Sequence, residues 1–398
     1  MSSSKPIWDR GDAIDAQMLA FTIGDDWLLD RRLVEHDVRG SLAHVDGLER
    51  VGLVTAAEAE AIRGGLRSIQ DEFRAGTFTV LPSDEDVHSA VERRLIERTG
   101  DAGKKLHTGR SRNEQVTVDV RLWLRDAITA TQETLLSVVR SANDLAARAG
   151  SIPLPGYTHL RRAMPSSIGD FALAHARAFS DCTDDLELAQ RRVRFCPLGS
   201  GAGYGVPIAL DRAFVAERLG FESADEPVTH VQLTRGRAEL AYVTALETIA
   251  LVIGRLAADL WLFTTDEFAF ARLPVELTTG SSMMPQKRNP DVIELLRAHA
   301  RQVVGDRDQV REVTRDLPSG YHRDFQLLKG PLFRAHDRIA AMLPLVARLL
   351  DRMEWNEDRL REAASDPKLA ATARALERAK AGVPFRDAYR DESRRADH

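Results

Sequence analysis

The chain has 398 residues, 43% of them hydrophobic, with a formal charge of −5 at neutral pH. That is apolar material for a large core divided among two or three domains, and it excludes a disordered chain. The mildly acidic balance removes any bulk electrostatic reason to bind nucleic acid or an anionic membrane, and it favours a small-molecule or protein partner.

In chain order, residues 1–10 hold no apolar run of the signal-peptide kind, and no segment approaches about 18 uninterrupted apolar residues. No membrane span is expected, and the location reads as cytoplasmic. Segments 30–51, 56–75 and 85–99 each carry helical periodicity and form a separate N-terminal unit, residues 1–110. From Val116 to Ala149 apolar residues recur at three- and four-residue steps until Gly150, which predicts a helix of about 45–50 Å at 1.5 Å per residue. A second long segment runs between Pro165 and Pro197. A third, from Arg237 to about Thr265, is apolar around much of its circumference and needs cover on several sides.

Further helices are expected at 292–315 and 336–352, so the fold class reads as all-α: residues 111–357 form a central long-helix bundle, and 358–398 a short C-terminal helical unit with a frayed tail from Arg386. Helices so broadly apolar argue for oligomerisation. Cys182 and Cys196 lack metal-ligand or CxxC spacing and read as reduced packing residues.

Five polar segments carry the chemistry. The segment Asp84–Glu92 puts Asp86 and His88 at a helix start, where, taken alone, a capped acidic first turn is favoured over a binding role. His107–Gln115 leads into the longest helix, and its Ser111, Arg112 and Asn113 make an anion cradle at a helix N-terminus. Pro155–Pro165 places His159 in a loop between two long helices, a position that a structural histidine could equally fill. Thr279–Asp291 combines turn residues with two hydroxyls, a cation and an amide: Ser281, Ser282, Lys287 and Asn289. Leu317–Lys329 contains Tyr321, Gln326 and Lys329, the last two spaced to share a helical face.

The stretch Gly280 to Asn289 fits Gly-Ser-Ser-x-Met-Pro-x-Lys-x-Asn at every fixed position and resembles the signature loop of the fumarase/aspartase superfamily. Together with His107–Asn113, Pro155–Leu160 and the Tyr-x-x-Asp-x-Gln-x-x-Lys string 321–329, the chain resembles the argininosuccinate lyases within it, from about Asp30 to Phe385. The resemblance implies elimination of argininosuccinate to arginine and fumarate without metal or organic cofactor, in a homotetramer whose active sites are shared between subunits. It implies Ser281 as general base with Ser282 as understudy, His159 on the acid side oriented by Glu294, and Lys287 and Asn289 as stabilisers of an aci-carboxylate. Thr158, Ser111, Arg112 and Asn113 fall around the succinyl portion, and Tyr321, Gln326 and Lys329 at the arginine end. Asp86 and Gln115 are further binding candidates in the same pocket.

The chain departs from the family in four places. Phe21–Asp26 replaces a serine-containing substrate segment, Arg161 and Met164 replace two glutamines, Thr234–Arg237 alters a Ser-x-Arg-Asp motif, and the chain ends soon after Phe385. Two other readings stay open: a related lyase acting on another N-substituted aspartate, and a catalytically idle, crystallin-like protein on the same scaffold.

Overall fold

The computed structural model describes residues 14–396; the N-terminal stretch read for targeting signals lies outside them. Five long helices dominate: Arg112–Ala149, Ile168–Arg192, Arg237–Phe263, Asp291–Val313 and Lys329–Arg352. The chain forms two compact units, each discontinuous: residues to 130 with 185–245 and 305–336, and residues 131–184 with 246–304 and from 337 onward. Every one of the five helices contributes a segment to each unit.

In the first unit, helices Val34–Arg50, Ala56–Arg74 and Val87–Thr99 bury Leu48, Ile62, Leu66, Ile69 and Leu95 completely. Thr55 and Glu58 close a reciprocal cap at the start of the second of these helices, which fixes where it begins. The long helices meet here around Trp123, whose ring lies 4.7 Å from Phe333 and 5.1 Å from His336 in edge-on contacts. The Tyr242 hydroxyl and His336 Nδ1 are 2.8 Å apart, which satisfies a phenol in an otherwise apolar core.

The second unit packs Phe171, Phe263 and Trp355 into an aromatic cluster with centroids 5.6–6.3 Å apart. Gly150 and Gly169 touch backbone to backbone there. A Cβ on Gly169 would sit 2.9 Å from the Gly150 Cα, so only glycine permits the approach.

Three expectations need correction. The segment between the first two long helices is a β-hairpin, β1 (Pro153–Thr158) paired antiparallel with β2 (Arg161–Ser167). Its prolines concealed it from the sequence reading, yet a two-stranded ribbon is all edge and tolerates residues without an N–H. The helix expected from 336 begins at Lys329. The charged tail is helical from Phe385 to Ala396: Ala388 is fully buried, and Arg374–Glu392 (2.7 Å) and Arg378–Asp391 (2.9 Å) tie it down. The stretch His230–Phe263 is long and apolar enough to cross a membrane by length and composition, but half of its most apolar window is buried inside the chain. Glu247, Arg255 and Asp259 interrupt it.

Candidate active site

Most of the binding segments read from sequence line one cavity of about 230 Å³ in the first unit, where Arg112, Asn113, Asp86, Tyr321, Gln326 and Lys329 converge. Asp86 caps the helix Val87–Thr99 through Ser89 N–H (2.8 Å) and also accepts from Arg112 Nη1 at 3.1 Å. The cap expected from sequence is present, and the other carboxylate oxygen of Asp86 is taken by Arg112. Burial opposes ionisation of Asp86, but His88 and Arg112 outweigh it and hold the carboxyl below the usual range. Ser111 N–H donates to Glu114 Oε1 (3.1 Å), and Ser111 Oγ accepts from Asn113 N–H (3.3 Å), which shapes the turn into the long helix.

Glu114, buried one turn in, also accepts from Gly201 N–H at 2.8 Å, and desolvation pushes its carboxyl up to about 7. Gln115 is buried with its Oε1 unpartnered, and it does not line the cavity.

At the other wall Gln326 donates to the carbonyls of Thr22 (3.1 Å) and Ile23 (2.8 Å), while its Oε1 accepts from Arg323. Lys329 is buried between two carboxylates, 2.6 Å from Asp26 and in direct contact with Asp30. Burial alone would pull the ammonium pKa down; Asp30 and Asp26 reverse this and raise it. Burial drives Asp26 up to about 7, with Lys329 opposing.

The segment Phe21–Asp26, which the sequence left without an assigned residue, therefore supplies a cavity wall. Asp26 and Asp30 were missed, although their four-residue spacing was a readable signal. Arg235, within the altered motif Thr234–Arg237, also lines the cavity: it is buried, donates to Thr117 Oγ1 at 2.8 Å and lies over the Phe325 ring. His88 contributes too, its Nδ1 2.7 Å from Asp37 and 3.5 Å from Asp119.

The segments in which the sequence placed the acid and the base, around His159 and Ser281, belong to the second unit. His159 and Leu160 form the tip of the hairpin, both at positive φ (53° and 57°), as a two-residue primed turn requires. Holding two side-chain-bearing residues there costs on the order of 1–2 kcal/mol each. Strain of this kind is typical of sites that must aim a side chain. Tyr157, stacked edge-on against Phe268, and Arg162, paired with Asp366 at 3.2 Å, anchor the strands beneath the tip. Thr158 and His159 are exposed.

The signature loop hangs from a two-residue ladder, Thr279–Gly280 against Arg288–Asn289, which the sequence did not reveal. Within it Ser281 Oγ accepts from the N–H groups of Met283 (3.3 Å) and Met284 (3.0 Å). Thr279 Oγ1 donates to Asp291, pinning the ladder to the following helix. Lys287 is exposed, and Asn289, in the ladder, is half-buried. Glu294 is exposed in the first turn of the helix Asp291–Val313, and among the described residues no hydrogen bond joins it to His159. Within the single chain His159, the signature loop and Glu294 therefore stay unjoined.

A family model described as a lyase matches residues 10–305. The chain is 46% identical over 384 residues to the argininosuccinate lyase of Sorangium cellulosum (strain So ce56), covering 96% of this chain and 89% of the relative. The chain belongs to the argininosuccinate lyase family. The argininosuccinate lyase of Xanthomonas oryzae pv. oryzae (strain PXO99A) is 44% identical over the same share of each chain. Among solved structures, an EDDS lyase superposes with a TM-score of 0.82 at 22% identity, covering 96% of this chain and 76% of that one. A class II fumarase from Schistosoma mansoni superposes with a TM-score of 0.78 at 16% identity, covering 94% and 90%. At such identities these two establish the fold, that of the fumarase/aspartase superfamily.

Proposed function

We infer that this member of the family is a carbon–nitrogen lyase that converts L-argininosuccinate to L-arginine and fumarate in arginine biosynthesis. The observation that carries the chemistry is the environment of Ser281. A serine hydroxyl is a poor base unless its alkoxide is stabilised, and here Oγ already accepts two backbone N–H groups, bonds that strengthen when it is charged.

Ser281, as alkoxide, takes the proton from the carbon beside a substrate carboxylate. The electron pair moves into that carboxylate to give an aci-carboxylate, which Lys287, Asn289 and Arg112 stabilise, each donor contributing about 3–4 kcal/mol. The pair then returns to form the carbon–carbon double bond of fumarate as the C–N bond breaks, and the departing guanidine receives a proton from the His159 side. Ser111, Asn113 and Thr158 hold the succinyl half. Tyr321, Gln326 and Lys329 hold the arginine half, with Asp86 beside them, and Gln115 supports the pocket from behind.

The enzyme is a homotetramer whose active sites combine segments of several chains. Support comes from Glu294 and His159, both exposed and not hydrogen-bonded to each other within the chain, and from apolar side chains exposed on the long helices, Leu136, Leu173, Leu251 and Leu295, each 45–56% accessible. A cytoplasmic location suits a biosynthetic enzyme whose two cysteines are buried and not joined in a disulfide. The division into domains 1–110, 111–357 and 358–398 remains our proposal.

Purified protein incubated with argininosuccinate, with fumarate absorbance followed in time, tests the activity. Fumarate released only from another N-substituted aspartate would transfer the assignment to that substrate, and none from any would favour the idle scaffold.

A further inference from the structure

A second cavity in the first unit, about 240 Å³, is lined by six arginines: Arg121, Arg191, Arg192, Arg194, Arg235 and Arg237. Its wall offers only two carboxylates, and both are committed. Asp225 accepts from Arg121 at 2.8 Å and lies 2.6 Å from His230 Nδ1, and Glu239 pairs with Arg235 at 3.3 Å. Arg194 reaches Glu222 only at 3.8 Å. Among the described residues Arg191, Arg192 and Arg237, all three exposed, have no ion pair, so their guanidinium groups line the cavity without a carboxylate partner.

Two of these arginines have an ordinary explanation, because Arg191 and Arg192 end the helix Ile168–Arg192, where cations favour the dipole. Arg237 has none. It is the first residue of the 27-residue helix Arg237–Phe263, the end at which a cation is repelled by the dipole and an anion welcomed. Arg237, Arg191 and Arg192 are exposed, and together with Arg121, Arg194 and Arg235 they give the cavity a strongly cationic lining.

We propose that this cavity binds a compact phosphate-type polyanion, separately from the substrate. Guanidinium forks match phosphoryl oxygens bidentately. The ring nitrogen of His230 that does not face Asp225 adds a donor to the lining, and the space accommodates two linked phosphoryl groups. Arg235 lines this cavity and the substrate cavity alike, so occupancy here bears on a residue of the substrate wall.

The test is direct binding of inorganic pyrophosphate to the purified full chain by titration calorimetry, at ionic strength held constant with sodium chloride. Saturable binding is expected, weakened at least about tenfold in Arg191→Gln/Arg192→Gln and again in Arg237→Gln. These arginines have no ion pair within the chain, and an unchanged circular dichroism spectrum and melting temperature will confirm that the variants fold. Binding that the substitutions leave intact, no binding at all, or citrate binding more tightly than pyrophosphate would each overturn the proposal. The readout is binding and not turnover, so it stands apart from the assignment of the substrate.

Discussion

At the scale of single residues, the mechanism concentrates on Ser281. Ser281→Ala keeps the loop backbone and removes the oxygen that accepts from Met283 and Met284. We expect kcat for fumarate release to fall about 10²–10⁴-fold with the oligomer intact, and near-normal turnover would reject Ser281 as the base. Glu114 makes a prediction about pH. Unfolded, its carboxyl titrates near 4.5; folded, burial holds the proton to about 7. Below the lower value both states carry the proton, and between the two only the folded state keeps it, so this contribution to stability is lost as pH rises. Glu114→Gln removes that dependence. In urea unfolding from pH 4.5 to 8, wild type should lose on the order of 3 kcal/mol relative to the variant, and parallel curves would show that Glu114 titrates normally.

At the scale of elements, periodicity was enough to find the long helices, because each must bury a continuous apolar stripe and the 3.6-residue period survives in sequence. The helix expected from Val116 to Ala149 runs Arg112–Ala149, and the one expected from 237 begins there. What stayed hidden was structure fixed by partners distant in sequence. The hairpin around His159 is stabilised by its cross-strand partner and by anchors such as Asp366, and its local residues read as breakers. The same holds in the site. Motif residues such as Arg112 and Lys329 could be picked out one by one, but Asp26 and Asp30 acquire meaning only when the fold brings Lys329 between them. A prediction at this scale concerns the contact of Gly150 with Gly169. Gly169→Ala gains about 1 kcal/mol of helix propensity but puts a methyl against backbone that cannot yield, so we expect net destabilisation of about 1–3 kcal/mol by chemical denaturation. A variant as stable as wild type would mean that the two segments can part.

At the scale of the whole molecule, the proposed assembly has two consequences. Light scattering should give a mass about four times 44.2 kDa, and Leu251→Glu, a charge on an exposed apolar face of the helix Arg237–Phe263, should shift it to smaller species with loss of turnover. If sites combine chains, co-refolding two inactive variants, Ser281→Ala and His159→Asn, should restore part of the fumarate release that neither shows alone. Continued inactivity of the mixture would place both residues of each site on one chain.

The two cysteines give the chain a built-in clock. Cys196 belongs to the first unit and Cys182 to the second, both are buried, and burial raises the Cys196 thiol to about 12, so neither reacts while its surroundings stay closed. Alkylation followed by peptide mapping therefore times the opening of each half independently. Equal rates would mean that helices running through both halves make them open as one body, and unequal rates would identify the half that yields first.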